Sequence, residues 1–280
     1  MALALLLLCV FLLPLQGHLL RMNDGIPLSQ DWQFVHIPKT GGTSVESLLR
    51  SSGVTPAIDI MFPALRNNTY RSKCGTAETP WHYTPNQVEN CQWEPNPYTG
   101  RNTWCVIRHP VMRFLSEFKW RLNRIQTEGW EGSWTQFLPR NFGVVETNST
   151  KRFDIVQFAK DTTSLLTKFS KSCLGNTSCP LTENFLHLQP QHWYVDNEKG
   201  NMTCDKVLPF RTLVTQLPEK LNVGARINAD YRPDIAQIRN ILWPVYKEDF
   251  ALFFSVTKSR QKNLRIADGA KLSGLRAEVR

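Results

Sequence analysis

The sequence predicts an α/β fold with a central parallel sheet flanked by helices, because one pattern occurs twice. Each time, a short apolar run stops at a polar or glycine-containing turn, and a segment with helical spacing follows. The 280 residues, 41% of them hydrophobic, are enough to bury a full core in one domain. Strands that alternate with helices favour parallel pairing, and the ligands of such sheets sit beyond the carboxyl ends of the strands.

Residues 2–20 are almost wholly apolar, broken only by Pro14, Gln16, Gly17 and His18 and closed by Arg21. This length approaches the roughly 20 residues that span a bilayer, while Gly17 suits a signal-peptidase site. Residues 1–21 are therefore expected to be a signal peptide or a signal anchor, and both alternatives stay open. Gln33 to Ile37 reads as a strand ended by Pro38, and Val45 to Arg50 as a helix stopped by Gly53. The second unit runs from the strand Thr103 to Ile107, through the turn Arg108-His109-Pro110, into a helix. Its apolar stripe is Val111, Phe114, Leu115, Phe118 and Leu122. Further helices are expected at Phe153 to Phe169, at Asp234 to Leu242, and in short form at Val245 to Phe253. Residues 66–102 and 172–205 read as polar loops. The main domain is expected over 22–256 and a disordered basic tail over 257–280, which lacks aromatics.

That tail carries seven basic residues against Asp268 and Glu278, and so supplies +5 of the net charge of +9. The body is only mildly basic, which suits an anionic co-substrate and gives no footprint for nucleic acid. Sequons begin at Asn67, Asn148, Asn176 and Asn201. With the apolar start and six further cysteines they predict an oxidising, lumenal compartment. Cys74 and Cys91 flank one polar loop, Cys173, Cys179 and Cys204 cluster in another region, and at least two disulfides are expected without a fixed pairing. Cys105, inside an apolar run, is expected to be a buried thiol. No pair has zinc-ligand spacing, and no metal is predicted.

Two constellations carry chemistry. In His36-Ile37-Pro38-Lys39-Thr40-Gly41-Gly42-Thr43-Ser44 the glycines let backbone N–H groups turn inward. The helix that follows offers unpaired donors, and Thr40, Thr43 and Ser44 add hydroxyls. This makes an oxyanion cradle. It lacks the G-K-[ST] order of a nucleotide triphosphatase loop, which counts against a P-loop kinase. The stretch HIPKTGGTS resembles the 5′-phosphosulfate loop of the Golgi carbohydrate sulfotransferases, the group with the heparan sulfate 2-O- and 6-O-sulfotransferases. VIRHPVMRFLSEF resembles the 3′-phosphate element of the same family.

The resemblance covers most of residues 30–256, with weaker echoes at HLQPQ (His187 to Gln191) and YKEDFALF (Tyr246 to Phe253) that bear on fold more than chemistry. It implies a P-loop-like sulfotransferase fold and the donor 3′-phosphoadenosine 5′-phosphosulfate (PAPS). Lys39, Thr40, Gly41, Gly42, Thr43 and Ser44 would bind the 5′ end, and Arg108 and Ser116 the 3′-phosphate. One departure is Arg211 in LPFRTL, where the family carries an acidic residue. Arginine grips phosphate in a bidentate fork that lysine cannot reproduce.

Sulfuryl transfer is an in-line displacement, with charge gathering on the leaving phosphate. Lys39 can follow that charge, a contribution of about 2.7 to 4 kcal/mol for one such donor. The acceptor hydroxyl needs a base, and His36, His82, His109, His187 and His192 are the candidates. His82, in TPWHYTP, lies where the family places its catalytic histidine and is the base expected here. Trp81, Trp93, Trp130 and Trp134 carry no assigned site. The acceptor is expected to be a carbohydrate. A protein tyrosine is the alternative, as is a non-catalytic glycan-binding protein on the same fold. The expected location is the Golgi lumen as a type II membrane protein, or secretion after cleavage.

Overall fold

The computed structural model describes residues 25–74, 79–129, 142–147, 150–168, 183–196, 202–217 and 234–277. The apolar N-terminal segment, three of the four sequons, Cys173, Cys179, Trp130 and Trp134 lie outside them. Among the described residues no helix is long and apolar enough to cross a membrane.

The chain begins with β1 (Trp32–Val35) and α1 (Gly42–Ser51), then α2 (Ala57–Arg66), a 3-10 turn (Pro80–His82) and α3 (Pro85–Asn90). β2 (Asn102–Ile107) leads into α4 (Pro110–Glu128), and the hairpin of β3 (Val144–Thr147) and β4 (Thr150–Phe153) leads into α5 (Ile155–Lys168). Two short helices follow, α6 (Glu183–Leu188) and α7 (His192–Val195), then β5 (Lys206–Pro209), α8 (Phe210–Gln216) and α9 (Ile235–Ala277).

β2 sits between β1 and β5, both parallel to it, as the alternation of strands and helices predicts. Its side chains alternate between two cores. Trp104 and Val106 join Phe34, Leu208, and Val45 and Leu49 of α1, whereas Cys105 and Ile107 join Val35, Met61 of α2 and Tyr194 of α7. The stripe expected on α4 packs with α5 and α9 in a third cluster around Phe114, Phe118, Phe158 and Phe250.

Helix boundaries follow local chemistry. Pro110 at the first position starts α4, and Gly129 at φ +76° ends it. Asp154 and Asp234 cap α5 and α9 by accepting backbone N–H groups at 2.9–3.0 Å. The two helices expected at Asp234 to Leu242 and Val245 to Phe253 are both present and follow one another within α9, with non-helical backbone between them at Tyr246, two residues beyond Pro244. That helix continues through Ala277, into the basic segment expected to lack structure. The polar composition of 66–102 and 172–205 hid α3, α6 and α7, whose four to six residues are too few for periodicity to show.

Cys74 and Cys91 form a disulfide, and Cys105 is a buried free thiol. Cys204, expected to be available for a disulfide, is instead reduced and buried beside the sheet.

Candidate functional site

The carboxyl ends of the three strands lie side by side. β1 delivers residues 36–41, β2 delivers Arg108, and β5 runs directly into Phe210. Gly41, at φ +91°, caps α1, and a Cβ there would meet the Phe210 ring at 2.9 Å. Gly42 is tighter still, since a Cβ would fall 2.3 Å from His36 Nε2. The His36 ring is fixed beneath the loop by a 2.6 Å bond between Nδ1 and Glu46 Oε1. The first turn of α1 thus offers backbone N–H groups around a surface that only glycine leaves open.

The hydroxyls divide. Thr40 is buried and donates to the Ile37 carbonyl at 2.8 Å, so it shapes the turn where an anion contact was expected. Thr43 is exposed and Ser44 half-buried on the first turn of α1. Lys39 adopts φ +69°, a left-handed conformation that costs a non-glycine residue energy and is a mark of functional loops. Its Nζ lies 3.7 Å from Glu117 Oε2 and 4.5 Å above the Trp120 ring.

Arg108 joins the loop from β2. Its Nη1 donates to the Lys39 carbonyl at 3.2 Å, and its guanidinium stacks 4.6 Å from the Phe210 ring. Gln191 holds the Arg108 peptide on both sides, at 2.8 Å to N–H and 2.8 Å to the carbonyl. Ser116 is half-buried on α4, just over two turns beyond Arg108. Lys119 lies three residues further along. Burial, and then Arg108, lower its pKa.

The two sequence echoes meet at this site. Asp249 of YKEDFALF accepts from Gln191 N–H at 2.8 Å and His192 N–H at 2.9 Å, and bonds His192 Nδ1 at 2.7 Å. His192 is thereby committed to support. His109 is also structural, packed against Phe250 and Phe253 at the start of α4.

His82 is buried between His36, at 4.8 Å between ring centroids, and His187, at 4.9 Å. Burial foremost, then His36, His187 and Lys39, push its imidazole well below the ordinary value, so it is neutral at pH 7. His187 of HLQPQ bonds Glu117 Oε2 through Nδ1 at 3.1 Å. That segment therefore carries a titrating group of the site, beyond the role in fold expected of it.

The sequence reading missed the stripe Arg113, Glu117 and Arg121 on α4. All three are buried. Arg113 donates to the carbonyls of Pro38 and His187, each at 2.9 Å, and Arg121 Nε donates to Glu117 Oε1 at 2.6 Å. Burial pushes the Glu117 carboxyl up, but Arg121, His187 and Lys39 hold it well below the usual carboxylate range. The signal was present as charges of alternating sign four residues apart, a spacing that reads as a solvated helix face. Trp81 and Trp93 are core residues.

A glycine loop, a half-buried lysine and an arginine at adjacent strand ends, with a neutral imidazole from the 3-10 turn beside them, are an arrangement that can hold a phosphate-like group next to a proton acceptor. A model of the Sulfotransferase family matches residues 31–222, more than half of the chain, and the protein belongs to that family. No curated protein and no solved structure gives a match.

Proposed function

We propose that the protein transfers a sulfuryl group from PAPS to a hydroxyl of a carbohydrate in the lumen of the secretory pathway. The observation that carries this reading is the meeting of the Lys39 loop and Arg108 at neighbouring strand ends, with His82 of the 3-10 turn packed against His36 beside them. The donor supplies the sulfuryl group and leaves as adenosine 3′,5′-bisphosphate. The glycine surface and the N-terminus of α1 suit its 5′ end, with Lys39 as the cation that answers charge on the leaving oxygen. Arg108 and Ser116 hold the 3′-phosphate. His82, neutral and buried, takes the proton of the acceptor hydroxyl as its oxygen bonds to sulfur and the sulfur–phosphate oxygen bond breaks.

The lumenal assignment is supported by the apolar residues 2–20, the Cys74–Cys91 disulfide and the exposure of the sequon residue Asn67. Residues 1–21 would serve as a Golgi signal anchor, or as a cleaved peptide of a secreted enzyme. The test is transfer from sulfur-labelled PAPS to heparan, chondroitin, simple glycans and tyrosine peptides, without added metal. Label on a glycan supports the proposal, and label only on tyrosine peptides replaces the acceptor. No transfer, with no donor binding by calorimetry, would leave a glycan-binding protein.

A further inference from the structure

Two buried ring nitrogens in the site, His82 Nδ1 and His187 Nε2, have no hydrogen-bond partner. They belong to rings packed edge to face, 4.9 Å apart. A buried polar atom without a partner is costly, so each such atom calls for an explanation. His187 has its other nitrogen committed, because Nδ1 meets Glu117 Oε2 at 3.1 Å. A carboxylate only accepts, so Nδ1 carries the proton and Nε2 the lone pair.

We propose that Glu117 is a positioning residue that sets the tautomer of His187, the ring packed beside the base. It fixes His187 with its proton at Nδ1 and a lone pair at Nε2, in a ring that lies edge to face with His82 at 4.9 Å. The proposal rests on His82 as the base and deepens that reading. His36 cannot take the place of His187 in this chain, although it too has a carboxylate partner, Glu46 at 2.6 Å. Its Nε2 lies against Gly42, within 2.3 Å of where a Cβ would be.

Glu117 is anchored for this task. Oε1 is held by Arg121 at 2.6 Å, so the carboxylate plane is fixed and Oε2 is left for His187 and, at 3.7 Å, Lys39. The same carboxylate thereby links the cation that meets the donor to the imidazole beside the base. When His82 accepts the acceptor proton, the new positive charge is answered by the neighbouring His187 ring, 4.9 Å away, and by Glu117 behind it. No proton moves beyond His82. The groups facing this unit are Lys39 from the loop, Arg113 and Arg121 from α4, His36 and His82 from the β1 and 3-10 segments, and Tyr246 from α9.

The test is Glu117→Gln. An amide has one acceptor oxygen where the carboxylate has two, and Arg121 claims it. The NH2 then faces His187, Nδ1 must accept, and the proton moves to Nε2. Histidine-nitrogen NMR should show His187 with its proton at Nδ1 in the wild type and at Nε2 in the variant, signals being assigned with His187→Leu. Turnover should fall about 10²-fold, the acid limb of its pH profile should move to lower pH, and adenosine 3′,5′-bisphosphate should still bind. A second variant, His187→Gln, keeps one donor and one acceptor and should retain more activity than His187→Leu. Unchanged histidine tautomers in Glu117→Gln overturn the proposal, as does lost turnover with an unshifted pH profile, which marks a structural role only. If Glu117→Gln does not fold, equal activities of the two His187 variants overturn it. A wild type that transfers no sulfate, yet shows the predicted tautomers, overturns the assigned reaction instead.

Discussion

Gly42 leaves no room for a side chain, because the atom in the way belongs to His36, a buried ring bonded to Glu46 and unable to swing aside. Gly42→Ala should therefore cost about 1–3 kcal/mol by overpacking, seen as a lowered Tm, and should weaken donor binding by deforming the cradle. Lys39 and Arg108 are expected to separate kinetically. Arg108 is remote from the transferred group, so Arg108→Ala should mainly raise the KM for the donor, whereas Lys39→Ala should lower kcat. Both changing only KM would break that division. His82→Ala should cut kcat by about 10²- to 10⁴-fold with donor affinity held, measured by titration calorimetry. A near-normal His82→Ala beside an inactive His187→Ala would move the base to His187.

α4 does two jobs with one periodicity. Its apolar residues seal it against α5 and α9, and its stripe Arg113, Glu117 and Arg121 reaches the Lys39 loop and α6. Arg121→Ala leaves Glu117 buried without its anchor and should cost about 3–5 kcal/mol, measured by chemical denaturation. Replacing the pair together, as Glu117→Leu with Arg121→Met, should recover most of that stability, since apolar residues of similar volume carry no desolvation penalty. Activity should not recover, because nothing then holds Lys39 and His187. This contrast separates the role of the stripe in folding from its role in the site.

The buried histidines should make the stability of the protein pH-dependent. Burial lowers the pKa of His82 and His187 in the folded state, while the unfolded chain keeps a value of about 6.5. The unfolded state therefore binds more protons below that pH. Stability is full above about pH 6.5 and falls as pH drops toward the folded pKa values, by about 1.4 kcal/mol per pH unit for each histidine. Thermal melts between pH 7.5 and 5 should show the slope, and it should be shallower in His82→Ala. Reducing the Cys74–Cys91 bridge, which closes 17 residues, should cost about 3 kcal/mol and lower Tm without touching the strand ends.

By itself the sequence determined the two strand–turn–helix units, the parallel sheet they form, and the loop and arginine at their ends, because glycine, proline and apolar spacing act over a few residues. It also marked Asp234 as the start of a helix and Cys105 as a buried thiol. It did not disclose Glu117, whose charge and spacing are those of a solvated helix face, or that Thr40 turns inward, or that Cys204 stays reduced. Those depend on which elements pack together. Only when α4 lies against the Lys39 loop and α6 do residues 39, 82, 117 and 187 share one buried volume. There the low dielectric turns ordinary charges and a loop histidine into a coupled site.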